Sequence, residues 1–239
     1  MTPYSSDLRR EVVVFDLDDT LCKEIDFLRS AFRAIADRLL RDHRLESDPY
    51  PRMLDLHAQG ADVFGTIDRI YGLGIPPAEY LARYRNHRPR IALSPETRAT
   101  LETLRARGCT IGLLTDGRSV TQRNKIAALG LDTFVAPGDI VVSEEFGSEK
   151  PCEANYAHFV RRYPEATFAY VGDNPRKDFL APNRLGWRTI CLLDDGRNIH
   201  RQRFDLPAEY LPQISIDSIE RIIHHIRLCT TESTSAWPT

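Results

Sequence analysis

Asp16 and Asp18 stand one residue apart in Phe15-Asp16-Leu17-Asp18-Asp19-Thr20, directly behind the apolar run Val12-Val13-Val14. The run reads as a buried strand, which puts both acids where the backbone leaves the core. Open α/β sheets bind ligands just beyond the carboxyl ends of their strands. Two carboxylates there can share a divalent cation, or one can attack while the other moves a proton. The pattern points to an enzyme of metal-dependent phosphoryl transfer. Asp also favours ordinary turns and helix starts, so the weight falls on residues further along the chain.

Three more groups carry it: Leu113-Leu114-Thr115-Asp116-Gly117, then Lys150-Pro151, then Val171-Gly172-Asp173-Asn174-Pro175-Arg176-Lys177-Asp178. The elements that must position them are legible as short apolar segments. Strands are expected at 12–15, 110–114, 134 with 140–142, 168–171 and 188–193, without clean alternation, as for strands covered on both faces. Helices are expected at 95–107, 120–129, 152–163 and 179–185. Ser94 suits an N-cap and Pro95 a first turn, while Gly108 and Gly130 suit helix ends. This strand–helix alternation predicts a doubly wound parallel sheet in an α/β chain.

Residues 22–92 read differently, as helices without a strand. Phe27, Phe32, Ile35, Ala36, Leu39 and Leu40 form a helical stripe, and shorter helices are expected at 61–71 and 77–85. Such an insert behind the first strand suggests a small cap over the strand ends. The expected division is therefore a core of 1–21 and 93–229, a cap of 22–92 and a frayed tail of 230–239. Residues 218–227 read as a covering helix with Asp217 as N-cap.

Together and in this order, the four groups resemble the haloacid dehalogenase superfamily, in its phosphatase form with a helical type 1 cap. The resemblance implies a Rossmann-like core and Mg²⁺ as cofactor. It implies Asp16 as nucleophile, forming an aspartyl-phosphate, and Asp18 as general acid and base. An Asp two residues after the nucleophile resembles the phosphatases and phosphomutases; the dehalogenases carry an aromatic residue there. Thr115 would hold a phosphoryl oxygen, and Lys150 would neutralise the nucleophile and the phosphoryl group. Asp173 would bind the metal with Asp16 and the backbone carbonyl of Asp18. Asp116, Asn174 and Asp178 would support, with Asp178 binding metal water or orienting Lys150. Asp116 stands where many relatives have Asn, and Lys177 where Asn is common.

Composition narrows the surroundings. Of 239 residues, 42% are hydrophobic, and the net charge of −2 gives no reason to expect a nucleic-acid or membrane partner. The polar start of the chain lacks a signal core, and five widely spaced cysteines suit neither a disulfide framework nor a zinc site. A cytoplasmic protein is expected, with Cys109 and Cys191 as small core residues. Arg83, Arg85, His87, Arg88 and Arg90 form a basic run that is either a solvated hinge or, at Arg85 and Arg88, a contact to a second anionic group of the substrate. His57 and Arg52 fall in a less regular part of the insert. The expected activity is hydrolysis of a small phosphorylated metabolite such as a nucleotide or sugar phosphate. A phosphomutase and a non-catalytic phospholigand-binding module remain open, as does the oligomeric state.

Overall fold

A computed structural model describes residues 10–227; the tail expected at 230–239, and Cys229, lie outside them. Six described strands form one parallel sheet: β1 (Glu11–Phe15), β2 (Thr110–Thr115), β3 (Ile140–Val142), β4 (Thr167–Gly172), β5 (Arg188–Leu192) and β6 (Ile214–Ile216), in the order β3-β2-β1-β4-β5-β6. The chain moves outward from β1 to β2 and β3, then crosses to β4 on the other side of β1. Doubly wound sheets open their ligand crevice at such a reversal.

Both faces of the sheet are covered, so β1 is buried at every position. Its side chains alternate between two cores. Val13 and Phe15 pack with Leu101, Leu104, Ile126, Leu129 and Ile222, while Val12 and Val14 pack with Tyr156, Phe159, Tyr170 and Trp187. The first set comes from α5 (Pro95–Ala106), α6 (Ser119–Leu129) and a 3₁₀ segment at Ile219–His224; the second draws on α8 (Glu153–Arg162). Ser94 caps α5 by accepting from Thr97 N at 3.1 Å, and Gly130 ends α6 at φ 66°. Cys109 and Cys191 are buried core residues.

Between β1 and β2 lie four helices: α1 (Glu24–His43), α2 (Tyr50–Ala58), α3 (Val63–Tyr71) and α4 (Pro77–Arg85). They share a separate apolar cluster built on Leu28, Phe32, Ile35, Leu39, Met53, Leu56, Ile67 and Tyr80. α1 opens with Glu24 and Asp26 and ends with Arg41 and His43, matching its dipole. Phe64 stacks on Tyr80 at 5.3 Å, and Tyr71 hydrogen-bonds Ser47, so both aromatic side chains serve packing.

Several elements differ from expectation for local reasons. Phe134 follows a 3₁₀ turn at Leu131–Thr133, and a second turn starting at Pro137 delays β3 to Ile140. The helix expected at 179–185 is α10 (Leu180–Arg184), and a separate short turn, α9 (Pro175–Asp178), precedes it. Pro182 has no N–H for the Asp178 carbonyl, which accepts instead from Tyr156 OH at 3.3 Å. The covering helix expected at 218–227 is instead a 3₁₀ segment over Ile219–His224, with Ile219 and Ile222 buried. Asp217 pairs with Arg221 at 3.0 Å rather than capping it. His57 and Arg52 belong to α2, a regular helix, with Met53 and Leu56 turned inward. α7 (Ser143–Phe146) and β6 are additions, too short to register as patterns.

Candidate active site

The groups singled out by sequence converge at the carboxyl ends of β1, β2 and β4. Asp16 continues β1, its N–H still bonded to the Val171 carbonyl of β4 at 2.8 Å. Thr115 is the last residue of β2, and Asp173 follows β4 directly. Leu17, between the two acids, turns into the core. With Asp18, Asp116, Lys150 and Asn174 these residues line a cavity of about 160 Å³, whose remaining walls are Asp19, Glu24, Lys177 and His200.

Lys150 organises the floor. It is 6% exposed, far from a solvated lysine, and its three ammonium protons have three partners. These are Asp16 Oδ1 at 2.9 Å, Asp178 Oδ1 at 2.7 Å and Tyr170 OH at 3.2 Å. Asp178 is fully buried; its other oxygen accepts from Asn174 N at 2.8 Å, so it orients Lys150 and the loop after β4 together. That closeness requires Gly172, because a side chain there would strike the Asp178 carboxylate. Asn174 caps α9 by accepting from Arg176 N at 3.2 Å. Asp116 accepts from Lys150 N at 3.0 Å and from Lys177 Nζ at 3.3 Å. Asp116 and Lys177 thus face each other.

The electrostatics of the floor favour a cation. One oxygen each from Asp16, Asp173 and Asp178 lies within 4.8 Å of the others. Burial pushes Asp16 up to about 7, with Lys150 opposing and Asp178 adding to the rise. Burial, then Asp178 and Asp16, push Asp173 up to about 9. When ionised, these three buried acids outnumber the one ammonium and form an oxygen-only cluster, the donor set that suits Mg²⁺. Lys150 is held well above the ordinary lysine range: burial disfavours its charge, but Asp16 and Asp178 outweigh that.

Arg85 and Arg88 are not brought to this cavity. Arg88 lines a separate surface groove with Arg29, Ser30 and Arg90, and neither arginine is among the residues that wall the site. His57 sits edge-on to Phe32 at 6.1 Å, and Arg52 is exposed.

Several residues of the site escaped sequence reasoning. Gln122 and Lys125 of α6 hold both oxygens of Asp18. The signal was a polar pair on the same helical face as Ile126 and Leu129. Asn198 donates to Asp173 Oδ2 at 2.9 Å, and Gln202 to the Asp173 carbonyl at 2.7 Å. Both come from the irregular stretch after β5, which carries no periodic signal. Asp19, in the left-handed region at φ 56°, accepts from Glu24 N at 3.0 Å and Ile199 N at 3.3 Å, so it ties the start of α1 to that stretch.

Comparisons with known proteins point to one family. The profile of haloacid dehalogenase-like hydrolases matches residues 11–186. A glyceraldehyde 3-phosphate phosphatase of Methanocaldococcus jannaschii is 30% identical over 229 residues, covering 90% of this chain and 96% of the relative. A ribulose-1,5-bisphosphate 5-phosphatase of Halopiger xanaduensis is 33% identical over 42% of each chain. Among solved structures, the HAD-hydrolase YfnB of Bacillus subtilis, bound to magnesium, superposes with a TM-score of 0.64 at 20% identity, covering 91% of this chain and 98% of that one. With a profile match over most of the chain and a near full-length relative, the protein belongs to the haloacid dehalogenase-like hydrolase family.

Proposed function

We propose that the chain hydrolyses a short-chain phosphorylated metabolite, with Asp16 as nucleophile and Mg²⁺ as cofactor. That it is a phosphoric monoester hydrolase follows from its family and from the phosphatases it resembles along most of its length. The observation that carries the residue assignment is the Asp16–Lys150–Asp178 array, at 2.9 and 2.7 Å, on the floor of the cavity. It supplies a carboxylate held in line, with a cation where charge must be neutralised.

In this reading Asp16 attacks phosphorus, and the leaving oxygen departs with a proton from Asp18. The resulting aspartyl-phosphate is opened by water as Asp18 takes a proton back, which releases phosphate and restores Asp16. Thr115 and the Asp116 N–H hold phosphoryl oxygens, while Lys150 offsets their charge. Asp16, Asp173 and the Asp18 carbonyl would hold the metal. When bound it offsets the negative charge of the phosphoryl group, which two carboxylates would otherwise repel. Helices α1–α4 serve as the cap, with Glu24 as its contribution to the cavity wall.

Size supports a small substrate. A cavity of about 160 Å³ falls below the roughly 300–1,000 Å³ that drug-sized ligands occupy. It suits a phosphoryl group with a few carbons better than a nucleotide, in keeping with a relative named for a triose phosphate. Among the described residues no helix is long and apolar enough to cross a membrane, and Cys22, Cys152 and Cys191 are free thiols. Five widely spaced cysteines support a reducing compartment, the cytoplasm. The test is phosphate release with Mg²⁺ from glyceraldehyde 3-phosphate and glycerol phosphate beside nucleoside monophosphates. Preference for the short chains is expected; preference for nucleotides would overturn the size argument.

A further inference from the structure

We propose that Gln122 and Lys125 are positioning residues that fix the Asp18 carboxylate for proton transfer. The inference rests on the hydrolase reading and extends it to α6, a helix outside the four groups. The two side chains lie three residues apart on one helical face, 2% and 3% exposed, beside Ile126 and Leu129. A lysine buried so deeply is costly unless a partner offsets the lost hydration. Its partner is Asp18 Oδ1, at 2.7 Å from Nζ. On another side the same ammonium lies 4.6 Å from the centre of the Phe27 ring of α1. Lys125 is therefore seated between the general acid and the first cap helix.

Gln122 holds the other oxygen. Its amide nitrogen lies 2.9 Å from Asp18 Oδ2, 2.6 Å from Thr115 Oγ1 and 3.0 Å from the Asp116 carbonyl. One side chain thus ties the acid after β1 to the hydroxyl at the end of β2. Gly117, at φ 135°, lets the loop after β2 run close over the Gln122 stem. A carboxylate on a loop, half-turned to solvent, has many orientations; two fixed donors leave it one. Neither α6 residue lines the cavity, so both act through Asp18 rather than on substrate.

The test compares two esters with different demands for protonation. The leaving oxygen of glycerol phosphate needs a proton, whereas that of p-nitrophenyl phosphate departs readily without one. Replacing Lys125→Met should lower kcat on glycerol phosphate by about 10- to 100-fold, a share of the 10²–10⁴ supplied by a general acid. KM should stay within about 2-fold and the loss on p-nitrophenyl phosphate should be small. Adding Lys125→Met to Asp18→Asn should cost nothing further, since coupled residues are not additive. Gln122→Leu should show the same ester dependence, and Lys125→Arg should recover most of the rate. Equal losses on both esters, or full additivity with Asp18→Asn, would overturn the inference while leaving the hydrolase reading intact. Wild-type protein silent on both esters would overturn that reading and this inference together. Should Lys125→Met fail to fold, Gln122→Leu carries the same comparison.

Discussion

Replacing Lys150→Met removes the one ammonium that faces Asp16 and Asp178, and its consequences can be worked from the structure. The contacts are 2.9 and 2.7 Å, with lysine and both acids buried. At an effective dielectric of about 20, each such contact is worth roughly 6 kcal/mol of attraction. Much of that is offset by the cost of taking the ions out of water, and removal of one partner from a buried pair costs about 3–5 kcal/mol. Methionine keeps the volume, so the deficit reports charge rather than a cavity. For a chain of this size it corresponds to a fall in melting temperature of roughly 6–20 °C, measured calorimetrically without metal at pH 8. The deficit should shrink at pH 5, where Asp16, already raised by burial, takes up a proton, and shrink also with Mg²⁺. Turnover should fall about 10²- to 10³-fold, the scale for removing one preorganised electrostatic stabiliser. A variant within about 0.5 kcal/mol of wild type at pH 8 would refute Lys150 as counter-ion of the site.

The same geometry sets other outcomes. Gly172→Ala should displace Asp178 and so misplace Lys150, costing about 1–3 kcal/mol and lowering turnover; unchanged kinetics would contradict the positioning role of Asp178. The pH dependence has a definite sign. Burial foremost raises Asp16 from 3.8 to about 7 and Asp173 from 3.8 to about 9, so the folded chain holds protons that the unfolded chain releases. These groups contribute stability below about pH 4, lost as pH climbs through 7 and 9 in metal-free protein. Mg²⁺ must displace those protons, so its affinity, read by titration calorimetry, should rise over the same interval; an affinity flat from pH 5 to 9 would contradict the shared site.

How much of this was legible in the sequence depended on whether the cause was local. β1, β2, β4 and β5 each hold a short apolar run because both faces are covered, and a buried parallel strand is visible in its residues alone. The acids, Thr115 and Lys150 were legible because each stands at the end of a strand or in the turn before a helix. β6, an edge strand of three residues, carries no such pattern. Nor does the stretch after β5, where Asn198 and Gln202 reach Asp173 from far along the chain. Gln122 and Lys125 left a visible trace as polar residues on an inward helical face, but only the packing of α6 against Asp18 gives them a partner. Arg85 and Arg88 were attractive as charges, yet their positions at the end of α4 and in the turn beyond it leave them off the cavity wall. Tertiary placement, not residue type, decided each of these cases.

The central claim is that Asp16 is the nucleophile of a metal-assisted phosphomonoester hydrolase. The most direct measurement is phosphate release from glyceraldehyde 3-phosphate with Mg²⁺, wild type beside Asp16→Asn, with folding of both checked by melting. Release by wild type and none above background by the variant is the predicted result. Equal release by a folded Asp16→Asn protein would contradict the claim.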